Sequence, residues 1–260
     1  MGDGRPVANH VSRGMMKEAA AAQQFRVNDS SLTTRVFCGL VALALLSLAV
    51  TIAGKWLGER IAMGGHTDDT TIHAVVMGDN LLAVPANMIR FEQARRNGDA
   101  DRLDLYVRYP AMEGYSRATR DAFNHADASD SILFLGFSEQ IMSRDMSGRF
   151  APIYSSLIAS PGKSGPAGVT FHEFSENSGY LGEMLAVAER PGHDPFVARC
   201  LTGAAAEKSL APCERDILVG DRLSLTYRFP QRFLGEWRAL DAAVENLAAS
   251  MLGTSAAQSR

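Results

Sequence analysis

Residues 36–54 read VFCGLVALALLSLAVTIAG, nineteen positions without a charge. As a helix rising about 1.5 Å per residue, the run spans about 28 Å, close to the ~30 Å hydrocarbon core of a bilayer. Arg35 closes one end and Lys55 the other, and Trp56 follows at the depth where aromatic rings favour the interface. The run predicts a transmembrane helix over 36–54. Two other readings stay open. One is a buried core helix, although a core helix of this length normally carries a polar face. The other is a signal peptide cleaved after Ser47-Leu48-Ala49 or Thr51-Ile52-Ala53. The apolar run exceeds the usual span of about 7–15 residues for such a peptide, and a long stretch precedes it. Cys38 follows Val36-Phe37, so it has no small residue before it and no lipobox.

The flanks orient the span. Arg5, Arg13, Lys17, Arg26 and Arg35 precede it; Lys55 and Arg60 follow, beside Glu59, Asp68 and Asp69. The positive-inside rule puts the N-terminus in the cytoplasm and the C-terminal part in the periplasm, the expectation for a single-pass inner-membrane protein. Outside the span the chain is polar enough to bring the mean hydropathy to −0.06, which excludes a polytopic carrier. Lys plus Arg is 26 against 29 for Asp plus Glu, so no basic excess points to nucleic acid. The partners expected are the lipid bilayer and another envelope protein.

Cys38 lies in the apolar run and reads as a small apolar residue. Cys200 and Cys213 lie far downstream. In an oxidising compartment they would bridge; in a reducing one they would be two buried thiols.

Alternation and turn residues divide the chain into a cytoplasmic tail (1–35), the membrane helix (36–54), a polar linker (55–70), a periplasmic domain (71–252) and a flexible C-terminus (253–260). A transient helix is expected in the tail over 15–25. In the domain, 71–77 and 81–84 form a hairpin about Gly78-Asp79, and Asn87 caps a helix reaching Arg96. Strands are expected at 102–109 and 131–137, with a short helix capped by Ser116 between them. A second short helix falls at 152–158. Strands at 168–174, 182–188, 195–201, 213–219 and 223–229 follow as a meander, with Gly220-Asp221 as a two-residue turn. Leu234, Trp237, Leu240, Val244, Leu247 and Met251 recur at helical spacing. Glu236, Arg238, Asp241 and Glu245 are assigned to the opposite, solvent face. The pattern predicts an α+β fold: an N-terminal transmembrane helix, then a mainly antiparallel sheet domain with a C-terminal amphipathic helix. Val75–Asp79 and Leu218–Asp221 echo each other as strand ends followed by Gly-Asp.

No complete catalytic motif is present. Ser160-Pro161-Gly162-Lys163 has the letters of S-x-x-K, but Pro-Gly opposes the helix that would face the amine to the hydroxyl. Gly162-Lys163-Ser164 lacks the earlier glycine of a phosphate-binding loop, and Gly136-Phe137-Ser138-Glu139-Gln140 lacks the last glycine of a nucleophile elbow. His66, Asp68, Asp69 and His73 are the densest ligand-like group, in a linker rather than on a rigid scaffold. His172 and Glu173 point to opposite faces of a strand. Catalytic residues, metal ligands and cofactors are therefore assigned none. The segment 142–149 follows a strand, where functional loops often sit. Ser143, Arg144, Asp145 and Arg149 are its candidates for binding an anionic ligand or partner, against an ordinary salt-bridged loop.

Several runs resemble an uncharacterised family of single-pass inner-membrane proteins from alphaproteobacteria. They are Val84-Pro85-Ala86-Asn87-Met88-Ile89-Arg90-Phe91, Arg102-Leu103-Asp104-Leu105, the 142–149 segment and Glu236-Trp237-Arg238-Ala239-Leu240-Asp241. The resemblance implies the location and brings no activity. The function expected is a non-catalytic envelope interaction protein, with a periplasmic ligand-binding or sensing domain and an envelope hydrolase as alternatives.

Overall fold

The computed structural model describes residues 30–63, 65–124 and 131–258. The helix expected over 15–25 and residues 259–260 lie outside them. The chain divides into two compact units, Met1–Glu59 and Arg60–Arg260.

Helix α1 (Ser30–Met63) is longer than the apolar run at both ends. Within it Ser31–Gly54, with mean hydropathy 2.6, is long and apolar enough to cross a membrane. Every side chain from 31 to 54 is exposed, so α1 has no face of the kind a core helix buries. The expected linker is corrected at its start: 55–63 belong to the helix, whose described residues run to Met63. Residues 65–71 are not a free linker either. The Arg95 guanidinium donates to the Gly65 carbonyl at 2.7 Å, and Asp68 pairs with Arg117 at 2.8 Å. His66 stacks on Tyr115, with centroids 4.8 Å apart and planes 8° from parallel, and its Nδ1 lies 2.8 Å from the Tyr106 hydroxyl. Phe123 closes the same cluster. His66 therefore joins no metal-ligand group with Asp68, Asp69 and His73.

Burial lowers the His66 pKa from its ordinary 6.5, and the Arg95 and Arg90 charges lower it further, against a hydrogen bond from Asn124 that raises it. Below 6.5 the unfolded chain takes up a proton that the docked ring resists. The contact therefore contributes in full above pH 6.5 and is lost as the pH falls through the depressed folded value. Between pH 7.5 and 5 the melting temperature of the full chain is expected to fall more steeply than that of His66→Phe, which keeps the stacking and cannot titrate. Parallel slopes would remove the His66 contribution.

The described residues of the domain form two sheets. In the smaller, β1 (Ile72–Met77) pairs antiparallel with β2 (Asn80–Pro85) and parallel with the two-residue β3 (Gly98–Asp99). The larger sheet contains β4 (Arg102–Arg108), β5 (Ile132–Glu139), β6 (Lys163–Ser164), β7 (Val169–Glu173), β8 (Glu183–Ala188), β9 (Phe196–Leu201), β10 (Cys213–Val219) and β11 (Leu223–Phe229). Its order is β4-β5-β11-β10-β9-β8-β7-β6, and every pairing is antiparallel. Short helices α2 (Arg120–Asn124) and α3 (Gly203–Glu207) lie between strands, and α4 (Trp237–Gln258) closes the chain. The architecture is α+β, as the patterning predicts. Leu103, Leu105, Val107, Leu135, Phe137, Leu225 and Phe229 share one core with Trp237, Leu240, Val244 and Met251 of α4.

The strands expected from residue 168 onward form within a residue or two of their predicted ends. Four local readings are corrected. The segment 87–96 makes no α-helix, only two 3-10 turns, because its backbone is bound to β4: Ile89 bridges Leu105, and the Arg90 amide donates to the Asp104 carbonyl at 2.9 Å. The Asn87 amide accordingly goes to the Tyr115 carbonyl instead of a helix end. Only Tyr154–Ser156 of the helix expected at 152–158 is helical, again as a 3-10 turn. The turn after β10 has three residues, since Val219 pairs with Leu223 and both Gly220 and Arg222 take positive φ. Helix α4 reaches Gln258, into the segment 253–260 expected as a flexible end.

The two echoing turns meet. The Asn80 amide donates to the Asp221 carbonyl at 2.7 Å and accepts from the Asp221 amide at 2.8 Å, a reciprocal clasp between the sheets.

Candidate functional site

The structure divides the residues of the 142–149 segment, the candidate for binding. Ser143 and Arg144 are exposed. Asp145 turns inward on its own loop, its Oδ1 accepting from the Gly148 amide at 2.8 Å. Arg149 reaches the sheet, where it pairs with the half-buried Asp216 of β10 and donates to the Arg144 carbonyl. Burial raises the Asp216 carboxyl above its usual range, and the Arg149 charge opposes that rise. The four residues therefore do not converge: the side chains of two are exposed at the surface and those of the other two hold the loop in place.

Loop placement follows from the sheet. Strands β9 and β10 pair only at Cys213↔Cys200 and Glu214↔Arg199. Cys200 and Cys213 are joined by a disulfide at this register, with Cα atoms 4.0 Å apart. The Leu201 amide donates to the Pro212 carbonyl beside them. Beyond these pairs the ladder stops, and side chains make the connections. The Ser147 hydroxyl donates to the Pro195 carbonyl at 2.7 Å, and Met146 packs with Leu185, Val187 and Val197.

Behind the loop lies a buried polar cluster that the sequence reading missed. Arg215 of β10 is 1% exposed. Its Nε and Nη2 donate to the two oxygens of Asp241 at 3.0 and 3.3 Å; its Nη1 donates to Ser147 Oγ at 2.8 Å and to the Val197 carbonyl at 3.1 Å. The guanidinium also sits 4.8 Å from the centre of the Phe196 ring. Asp241 accepts further bonds from the Tyr227 hydroxyl at 2.6 Å and from Arg190 at 3.3 Å. Asp241 is thus corrected from the solvent face of α4 to its buried face. Burial pushes the Tyr227 hydroxyl well above its usual pKa, so it stays protonated and donates.

The cluster's chemistry is that of a clamp. Two guanidiniums and a phenol satisfy one carboxylate, which is the condition for burying such charges. Ser147 Oγ accepts from Arg215 and Arg190 and donates to a carbonyl, so its lone pairs are drawn toward two cations and no base takes its proton. Arg190 and Arg215 of the cluster, with Asp145 and Glu245, line a cleft of about 320 Å³. Burial, then the Asp241 charge, raises the Glu245 carboxyl.

The remaining candidates are apart from this centre. Lys163 pairs with Glu173 at 2.7 Å, in a strand rather than at a helix start beside Ser160. His172 Nδ1 lies 3.3 Å from the Ala159 carbonyl. Among the described residues, no three His, Cys, Asp or Glu side chains are grouped to hold a metal ion.

No protein-family model matches the chain. No curated protein sequence matches it. Among solved structures it is similar to an immunity protein of the Stenotrophomonas maltophilia type IV secretion system, with a TM-score of 0.47 and 14% identity over 72% of this chain and 95% of that one. It is also similar to the Neisseria meningitidis iron-regulated outer membrane lipoprotein FrpD, with a TM-score of 0.43 and 12% identity over 73% of this chain and 98% of that one. At that identity and overlap, the two likenesses assign no activity to this chain.

Proposed function

We propose that the chain is a single-pass inner-membrane protein, its N-terminus cytoplasmic, whose folded domain stands in the periplasm and acts by binding another envelope component. The observation that carries this reading is the combination of an exposed 24-residue apolar stretch with a disulfide in the domain that follows it. A disulfide that persists belongs to an oxidising compartment. The basic flank of α1 on its N-terminal side supports the orientation. The state of the buried polar groups supports binding over chemistry: Ser147, Asp241, Tyr227 and Arg215 are each engaged in holding α4 and the 142–149 segment to the sheet.

Reporter fusions test the topology. Alkaline phosphatase joined after Gly65 is expected to be active and a green fluorescent reporter there dark, with the reverse for fusions after Arg35. The opposite pattern would overturn the orientation and, with it, the envelope assignment. For binding, crosslinked membranes are expected to yield the same partner in repeated purifications; none recurring would count against an interaction role.

A further inference from the structure

We propose that the face of the large sheet opposite α4 carries a site for a small phosphorylated ligand, in a cleft lined by Arg90, Arg102, Lys208 and Arg228. The proposal deepens the binding role above and rests on it. The cleft measures about 330 Å³, at the lower end of the range of roughly 300–1,000 Å³ typical of small-molecule sites. Its floor is a cross-strand row, Asp104–Gly136–Thr226, flanked by Phe134 and Arg228; the segment after α3, from Lys208 to Ala211, forms a wall.

Charge is the first observation. Four cations line the cleft against one carboxylate, Asp104, in a chain whose net charge is −3. Arg102 already takes that carboxylate, with Nε and Nη2 at 2.8 and 2.7 Å from its two oxygens. Arg90, Lys208 and Arg228 have no ion pair among the described residues. Three like charges around one hollow repel one another until an anion enters.

Two of the cations are held in place before any ligand arrives. The Arg90 guanidinium sits 5.0 Å from the centre of the Phe134 ring and 5.1 Å from that of Phe91. Arg228 Nη2 donates to the Ala211 carbonyl at 3.2 Å, leaving its other N–H groups for the cleft. Guanidinium forks match the oxygens of phosphate, and Lys208 adds a point charge.

Gly136 is the second observation. It lies inside a strand, where a glycine weakens the sheet, and it is not among the glycines with positive φ. A Cβ there would meet Arg102 Nη2 at 3.4 Å and Asp104 Oδ1 at 3.5 Å, ordinary contact distances. The backbone does not require glycine; the missing side chain leaves room for the Arg102–Asp104 pair, which lies over it on the floor of the cleft. A phosphate dianion presents three terminal oxygens to three unpaired cations, which favours it over a monocarboxylate.

The same group occurs on soluble phosphomonoesters and on phosphatidic acid. The test uses the full chain in phosphatidylcholine nanodiscs at low ionic strength, titrated calorimetrically with inorganic phosphate and with glycerol 3-phosphate. Sodium chloride at matched ionic strength is the blank. Saturable binding is expected, weakened about tenfold by Arg90→Gln and by Lys208→Gln, as for loss of one charge-assisted contact. It is expected to be abolished by Gly136→Leu, which fills the floor. Should Gly136→Leu fail to fold, the two surface substitutions decide. Binding that disappears in nanodiscs containing phosphatidic acid identifies a lipid phosphomonoester as the occupant; binding retained there identifies a soluble phosphorylated ligand. No heat above the chloride blank, or binding unchanged by Arg90→Gln and Lys208→Gln, would overturn the site while leaving the fusion-based topology standing.

Discussion

Asp241→Ala is expected to destabilise the folded domain by about 3–5 kcal/mol, the range for removing one partner of a buried ion pair. The reason is what stays behind. Arg215 is 1% exposed and cannot be deprotonated, so without Asp241 a full positive charge remains in the core beside Phe196. The Tyr227 hydroxyl loses its acceptor in the same step. For a domain of this size the melting temperature is expected to drop by about 10 °C. Urea unfolding followed by tryptophan emission measures the loss, since Trp237 is buried against the same strands. Removing the whole cluster is a different experiment. Arg215→Met, Asp241→Leu and Tyr227→Phe together replace the charges with apolar volume. Arg190 is 26% exposed and can turn to water, and Ser147 keeps the Pro195 carbonyl. The triple variant is therefore expected to be more stable than Asp241→Ala alone. A loss below about 1 kcal/mol for Asp241→Ala would mean that the cluster does not hold α4 to the sheet.

The sequence already contained a signal for this cluster, and residue type obscured it. Asp241 stands four residues after Trp237 and three before Val244, so it lies on the apolar stripe of α4. Arg215 shares strand parity with Cys213 and Ile217, both buried. Phase puts both inside although charge favours the surface, and phase prevails because each supplies the other's partner. Where alternation and Gly or Pro boundaries agreed, as from β7 to β11, strands were legible to within a residue or two. Where the decisive bonds were non-local they were not: local patterning in 87–96 reads as helix, yet Asp104 and Leu105 claim its backbone. The basic cleft had no local signature at all. Arg90, Arg102 and Arg228 meet because β11 inserts between β5 and β10, a strand order that hydrophobic periodicity does not encode.

That strand order also sets what the disulfide does. Strands β6 to β9 join the rest of the large sheet across the β9–β10 seam, where the ladder consists of two residue pairs. Cys200–Cys213 is one of them, and Arg199–Glu214 is the other. Replacing both cysteines by Ala is expected to destabilise the domain by about 3 kcal/mol, the chain-entropy figure for a loop of this length. Its effect on local opening is expected to be uneven. Amide exchange should quicken most in β7, β8 and β9, which lose their covalent tie, and least in β4, β5 and β11, which keep continuous ladders of six or more pairs. Uniform loss of protection across both halves would show that the bond acts on the unfolded chain alone. Arg215 spans the same seam through the Val197 carbonyl, so combining the cysteine replacements with Asp241→Ala is expected to cost more than the two losses added separately. The bond also reports on compartment. Non-reducing peptide mapping of the protein from native membranes is expected to recover the Cys200–Cys213 crosslink. Free thiols at both positions would remove the oxidising environment on which the periplasmic assignment rests.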